Sequence, residues 1–242
     1  LLSSAALGGF GVAVGAGFPL IAYARASFDM IIIGGGTAGI PCAIFAAEQG
    51  AKVLIIEKSD QIGGTLWLTG GSMAAAGTRV QARQNIKDSP EDHYQDIMRL
   101  GHDKAIPEVV RRFVENAAAM ADWLEDIGFS VRAGDPVAGR AFGHAAFSIK
   151  RYFQGPERGR SVVKVLLPEL RKHVDSGAVK LATSTEVAEI VLGRHRSAQG
   201  VIAVGPDGAR RQISARKVVI ASGGYCHSQE MFKSVTGLDT RL

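Results

Sequence analysis

Residues 29–57 restrict the fold of this chain more than any other stretch. Asp29 to Ile33 (DMIII) is an almost wholly apolar run, as expected for a parallel strand covered on both faces. It leads into Gly34-Gly35-Gly36-Thr37-Ala38-Gly39 and then an alanine-rich helix, Ile40 to Gln49, closed by Gly50. A second apolar strand, Lys52 to Ile56, ends at Glu57. Strand, glycine turn, helix and strand in under about thirty residues make a βαβ unit. The expected class is therefore α/β, a Rossmann-like domain built on a parallel sheet.

The glycine spacing has a physical reason. Gly34 permits a tight turn off the strand, Gly36 lets a pyrophosphate approach bare backbone, and Gly39 lets the helix pack closely on the strand. The helix N-terminus then faces the phosphates. Glu57 ends the second strand, where a carboxylate accepts hydrogen bonds from an adenosine ribose. A glycine turn used only for packing would not need that acid. The choice of dinucleotide rests on the residues after Glu57. Gly63-Gly64-Thr65 and Thr69-Gly70-Gly71-Ser72-Met73 form a second exposed glycine loop, able to lay backbone N–H groups along the pyrophosphate and a flavin ring. A nicotinamide domain would usually continue directly into another helix and strand. FAD is the expected cofactor.

Further along, Ile62 to Thr78 reads as too polar and glycine-rich for a core element. Ser89 caps a helix with Pro90 first and Glu91 and Asp92 in its opening turn. A longer helix runs from Pro107 to about Asp126, with Val109, Phe113, Ala117, Met120 and Leu124 as its core face. Ala133 to Gly159 has no clear periodicity. Gly159 to Val174 reads as a helix that Pro168 should kink or split. Short strands come next at Val179–Ala182, Glu186–Leu192, Val201–Val204 and Arg211–Ser214, the last two joined by a Pro206-Asp207-Gly208 turn. They predict a small antiparallel β-meander. A buried strand, Lys217 to Ala221, then meets Ser222-Gly223-Gly224.

The net charge of +5 favours anionic ligands, but the Lys and Arg residues are scattered and no basic stripe with interleaved aromatics suggests nucleic acid. Cys42 and Cys226 lack metal or disulfide spacing, so no metal site is expected. The chain opens on Leu1, and Leu1 to Ala24 is apolar, Gly/Ala-rich and uncharged. With Ala22-Tyr23-Ala24 or Ala24-Arg25-Ala26 as a small-x-small site, it reads as an export signal of the twin-arginine type, giving a periplasmic protein. A membrane anchor and a simple N-terminal extension of a cytoplasmic protein remain as alternatives. The division expected is 1–26 as this apolar segment and 27–242 as the N-terminal part of an FAD-binding domain.

DMIIIGGGTAGIPCAIFAAEQGAKVLIIEK, IGGTLWLTGGSMAAAGT, SPEDHYQDI and KVVIASGGY together resemble the flavoprotein subunits of succinate dehydrogenase and fumarate reductase. The resemblance extends to their soluble relatives: flavocytochrome fumarate reductases, urocanate reductase and 3-ketosteroid dehydrogenases. It implies that Thr37, Ala38, Glu57 and Lys58 lie at the adenosine and pyrophosphate. Gly64, Thr65, Leu66, Thr69, Gly70 and Gly71 would line the flavin, Val187 would touch the adenine, and Ala221, Ser222 and Gly223 would close over the nucleotide. The chain departs from the family in two ways. Ser72 stands where relatives often carry a third glycine. No histidine lies between Thr65 and Met73, where membrane-bound members attach FAD covalently, so attachment should be non-covalent.

The family's substrate clamp and proton donor come from a capping domain and a later part of the FAD domain, both beyond the point matching Leu242. The catalytic residues are therefore expected outside this chain, which would work with a continuation or a second subunit and an electron-transfer partner. Within it, His144, Tyr152 and the pair Arg158 and Arg160 are the only substrate-side candidates; His93, His102, His173, His195 and His227 are scattered. The expected activity is hydride transfer at a carbon–carbon bond beside a carbonyl or carboxylate of a small molecule. The alternatives are a flavin-binding electron-transfer or scaffold subunit without a substrate site, and a membrane-anchored module that recruits a redox partner.

Overall fold

The computed structural model of the protein describes residues 27–138, 147–226 and 228–238. The apolar segment up to Ala26, together with His144 and His227, lies outside the described residues.

The βαβ unit forms where its pattern places it. Strand β1 (Ser27–Ile33), helix α1 (Gly39–Glu48) and strand β2 (Val53–Ile56) follow in order, and β1 runs parallel to β2 with Met30 opposite Val53 and Ile33 opposite Ile56. Ile31, Ile32, Leu54 and Ile55 are fully buried, each contributing about 1.5–3 kcal/mol relative to exposure. The chain continues through β3 (Met73–Ala74), α2 (Arg79–Ala82), α3 (Pro90–Leu100), α4 (Pro107–Asp126), β4 (Tyr152–Phe153) and α5 (Gly159–Asp175). It ends with β5 (Val179–Ala182), β6 (Glu186–Leu192), β7 (Ala198–Val204), β8 (Arg210–Ile220) and α6 (Gln229–Thr236).

The main sheet has the order β5-β2-β1-β8-β7-β6. Its first four strands are parallel, and the meander β6-β7-β8 extends it in antiparallel fashion. A second, two-stranded ribbon pairs β3 with β4. One core packs Ile40 and Ile44 of α1 and Leu166 and Leu170 of α5 onto Ile32, Val53, Ile55 and Val179. The other face of the sheet buries Ile31, Leu54 and Ile56 with Val201, Ala203 and Ile213 of the meander. Among the described residues no helix is long and apolar enough to cross a membrane.

Several sequence expectations need correction. Arg211–Ser214 and Lys217–Ala221 are not separate strands. Ser214 and Ala215 pair with Ser27 and Phe28 of β1, which carries the strand across the expected gap, so β8 is a single strand. Its first half pairs antiparallel with β7 and its remainder parallel with β1. The stretch Ile62–Thr78 is not excluded from the core: Ile62, Leu66, Ala75 and Ala76 are buried. Pro168 does not split α5. Pro168 and Lys164 both sit on the exposed side, so the carbonyl that loses its donor faces water, where the loss is tolerated. On α4 the expected core face holds at Ala117 and Leu124 but is displaced by one residue at Val109, Phe113 and Met120. Val110, Val114, Ala121 and Leu124 are buried, whereas Val109 and Phe113 are 62% and 50% exposed.

Candidate functional site

The site is built from two backbone turns that touch. Gly63 N–H donates to the Gly35 carbonyl at 2.7 Å, and a Cβ placed on Gly64 would stand 3.2 Å from Gly36 Cα. The first turn is closely packed on itself. Gly34 has φ +103°, and a Cβ there would meet the Ala221 carbonyl oxygen at 2.5 Å; one on Gly39 would meet the Gly34 oxygen at 1.9 Å. Both glycines are therefore demanded by the fold. Gly36 is different: its nearest neighbour would be Gly64 Cα at 3.9 Å, an ordinary contact that an alanine would survive. The bare backbone at Gly36 fits the approach of a ligand, and Thr37 and Ala38 beside it are exposed.

Helix α1 starts here without a side-chain cap at Ala38 and without an acidic residue in its first turn. Helices α2 and α3, by contrast, are capped by Thr78 and Ser89. The uncapped N–H groups and the positive end of the α1 dipole remain available to an anion such as a pyrophosphate.

Glu57 is fixed by the same turn. Gly35 N–H donates to its Oε2 and Ser59 N–H to its Oε1, both at 2.8 Å. Its backbone bridges Ala182 and Thr185. The carboxylate is half-buried and keeps lone pairs for ribose hydroxyls. Lys58 reaches Glu186 at 3.2 Å in an exposed pair, which a ligand displaces at little cost. Ala221 N–H donates to Ile33 O at 2.8 Å, so Ala221 and Ser222 flank Gly34; Gly223, at φ +87°, has no atom within 4 Å of a Cβ position.

The second loop closes against α5. Gly159 N–H donates to Thr69 O, and a Cβ on Gly71 (φ +65°) would meet Gly159 N at 2.3 Å. Thr65, Thr69 and Gly70 are exposed. Leu66 and Gly71 are buried, so the Leu66 side chain belongs to the core. Val187 pairs with Ala203 of β7 and packs on the second core cluster, the one formed by the meander.

Tyr152 is not in an irregular stretch. It lies in β4 opposite Ala74, and its backbone also bridges Val137. Arg158 and Arg160 are exposed at the N-terminus of α5, which is also uncapped. Arg158 holds φ +61° and ψ −138°, a conformation few side-chain-bearing residues adopt.

Two features escaped sequence reading. Gln154 orients its amide nitrogen toward Gly70 O at 3.1 Å and Ser72 Oγ at 3.2 Å, so Ser72 ties the second loop to the chain beside β4. The only sequence signal was the serine in a glycine position. The other is a buried charge cluster: Arg151 is fully buried, pairing with Asp88 and Asp96 at 2.6 Å each. Burial opposes ionisation of Asp96, yet hydrogen bonds from Arg99 and Ser148 and the Arg151 charge outweigh it and hold the carboxyl at about 2. No local pattern announces partners so far apart in sequence.

Comparison with known proteins places these residues in context. The FAD binding domain family matches residues 29–240. The chain is 33% identical over 205 residues to an NADH:fumarate oxidoreductase of Klebsiella pneumoniae, a match covering 85% of this chain and 21% of that protein. It is 29% identical to a fumarate reductase (cytochrome) of Shewanella frigidimarina, covering 84% of this chain and 34% of that one. Among solved structures, the open conformation of a flavocytochrome c3 fumarate reductase aligns at TM-score 0.76 and 24% identity, over 90% of this chain and 37% of the other. The chain thus spans a fifth to about a third of the length of these relatives.

Proposed function

The chain belongs to the FAD binding domain family, and from that premise we propose that it is the FAD-holding part of an oxidoreductase acting on a carbon–carbon bond beside a carboxylate or carbonyl. The observation that carries this is the contact of the two glycine turns around an uncapped helix start and an anchored Glu57. Bound FAD supplies hydride exchange with a carbon of the substrate, and the protein supplies orientation and charge. The α1 N-terminus would receive the pyrophosphate, Glu57 would accept hydrogen bonds from the ribose hydroxyls, and the exposed Thr65, Thr69 and Gly70 would hold the flavin and help exclude water. Several relatives are named for the reduction or dehydrogenation of such bonds: fumarate reductase, urocanate reductase and 3-oxosteroid 1-dehydrogenase.

The substrate clamp and proton donor belong, in this reading, to a remainder of the enzyme. Supporting it, Ile220 is 67% exposed, Met231, Val235 and Leu238 are exposed, and α6 buries no residue against the described part of the chain. FAD is held non-covalently, since the second loop offers no histidine, and the protein is exported through its N-terminal segment. N-terminal sequencing of periplasmic protein starting between Arg25 and Ser27 supports export; a cytoplasmic chain retaining Leu1 contradicts it.

Acid precipitation should release the yellow cofactor into the supernatant. Reduced, FAD-loaded enzyme with its remainder present should reoxidise on addition of an enoate or enone, whereas residues 27–242 alone should not turn over. Stoichiometric FAD and full turnover by 27–242 alone would sink the divided reading, and no substrate-dependent change with the remainder present would favour an electron-transfer subunit.

A further inference from the structure

Helices α1 and α5 both begin at the glycine turns. Near their other ends, three metal-ligating side chains converge. Glu169 and His173 stand one helical turn apart on α5 and share a face, while Glu48 enters from the last residue of α1. One ligand atom from each lies within 4.8 Å of the other two. The His173 Nε2 is shielded from solvent and has no hydrogen-bond partner among the described residues, a condition rare enough in buried polar atoms to require a cause. Glu48 is exposed and has no ion pair among the described residues. Glu169 is met by Lys172 Nζ at 2.5 Å, but that lysine is 69% exposed and gives up an exposed partner at little cost.

We propose that Glu48, Glu169 and His173 bind one divalent transition-metal cation of the Zn2+ class. The donor set decides the class. An imidazole nitrogen with two carboxylates suits Zn2+ and its neighbours, whereas Ca2+ and Mg2+ take oxygen ligands. Three protein ligands leave a fourth position for water. The cation offsets two carboxylates held close together and satisfies the orphaned nitrogen. It clips the end of α1 to α5 and so fixes the spacing of the two helices whose starts frame the glycine turns. Sequence spacing could show only the Glu169–His173 half; the third ligand arrives through the fold.

The full chain, stripped with a chelator and titrated with Zn2+ against a chromogenic competitor, should take up one equivalent. Its thermal midpoint should rise with Zn2+, because a ligand that binds the native state stabilises it. Outer-shell partners of metal ligands alone are worth about 10–100-fold in affinity, so Glu48→Gln and His173→Ala should each weaken uptake by at least about tenfold. Both should also lose the thermal shift. Glu48 is exposed, so its variant keeps the fold, and circular dichroism checks His173→Ala. Absence of stoichiometric uptake, or equal uptake by folded Glu48→Gln and the unsubstituted chain, overturns the proposal.

Discussion

Both oxygens of the Glu57 carboxylate accept a backbone N–H, from Gly35 and from Ser59, before any ribose hydroxyl arrives. A glutamine keeps the shape but offers one acceptor oxygen, and its NH2 must then face one of those donors. Charge-assisted bonds of this kind are worth about 1.5–3 kcal/mol. Glu57→Gln should therefore lower FAD affinity by about one to two decades, read by titration of flavin fluorescence; an unchanged Kd would show that the ribose lies elsewhere. His93 makes a different prediction. It is fully buried with both ring nitrogens unpartnered among the described residues, edge-on to Phe113 and Phe147. Burial, reinforced by the Arg151 charge and opposed by Asp88 and Asp96, lowers its pKa from 6.5 to about 4. A base with a depressed folded pKa contributes stability that is complete above pH 6.5 and is lost as pH falls toward 4. The slope is at most about 1.4 kcal/mol per pH unit. Urea unfolding across that window should show the loss, and His93→Phe should flatten it; an unchanged slope in that variant assigns the proton to another group.

At the scale of elements, α4 shows what periodicity can and cannot settle. Its sequence carries two apolar stripes one residue apart, Val109/Phe113/Met120 and Val110/Val114/Ala121, each at helical spacing. Tertiary neighbours choose between them: Val110 and Val114 meet Met98 of α3, and Ala121 and Leu124 join the main core. Leu124→Ala should cost about 2–5 kcal/mol and Val109→Thr less than about 0.5 kcal/mol. Equal losses in urea unfolding would mean that the outer stripe is covered after all. The βαβ unit, by contrast, was legible because its apolar runs are buried on both sides and the Gly39 position answers to a backbone contact only five residues back, at Gly34. The Arg151 cluster was not, since Asp88, Asp96 and Arg151 meet only after α3 and β4 pack together. The Gln154–Ser72 link was hidden for the same reason.

Across the whole molecule, β8 belongs to two ladders at once. Ser214 faces both Gly200 of β7 and Ser27 of β1, so neither half of the sheet ends before the other begins. The last residues of this strand deliver Ala221 and Ser222 to Gly34, and its first residues leave the Pro206-Asp207-Gly208 turn. In the language of hydrogen exchange, that makes the strand a single opening unit. Amides on its meander half, such as Ile213, and on its parallel half, such as Val219, should exchange at similar rates by sub-global opening. FAD should slow both together, although only one end of the strand leads to the proposed nucleotide site. Protection confined to Val219 and its neighbours would mean that the two halves open independently. If they open together, loosening the solvent-exposed hairpin will be felt as a shorter residence time of the flavin at the far end of the same strand.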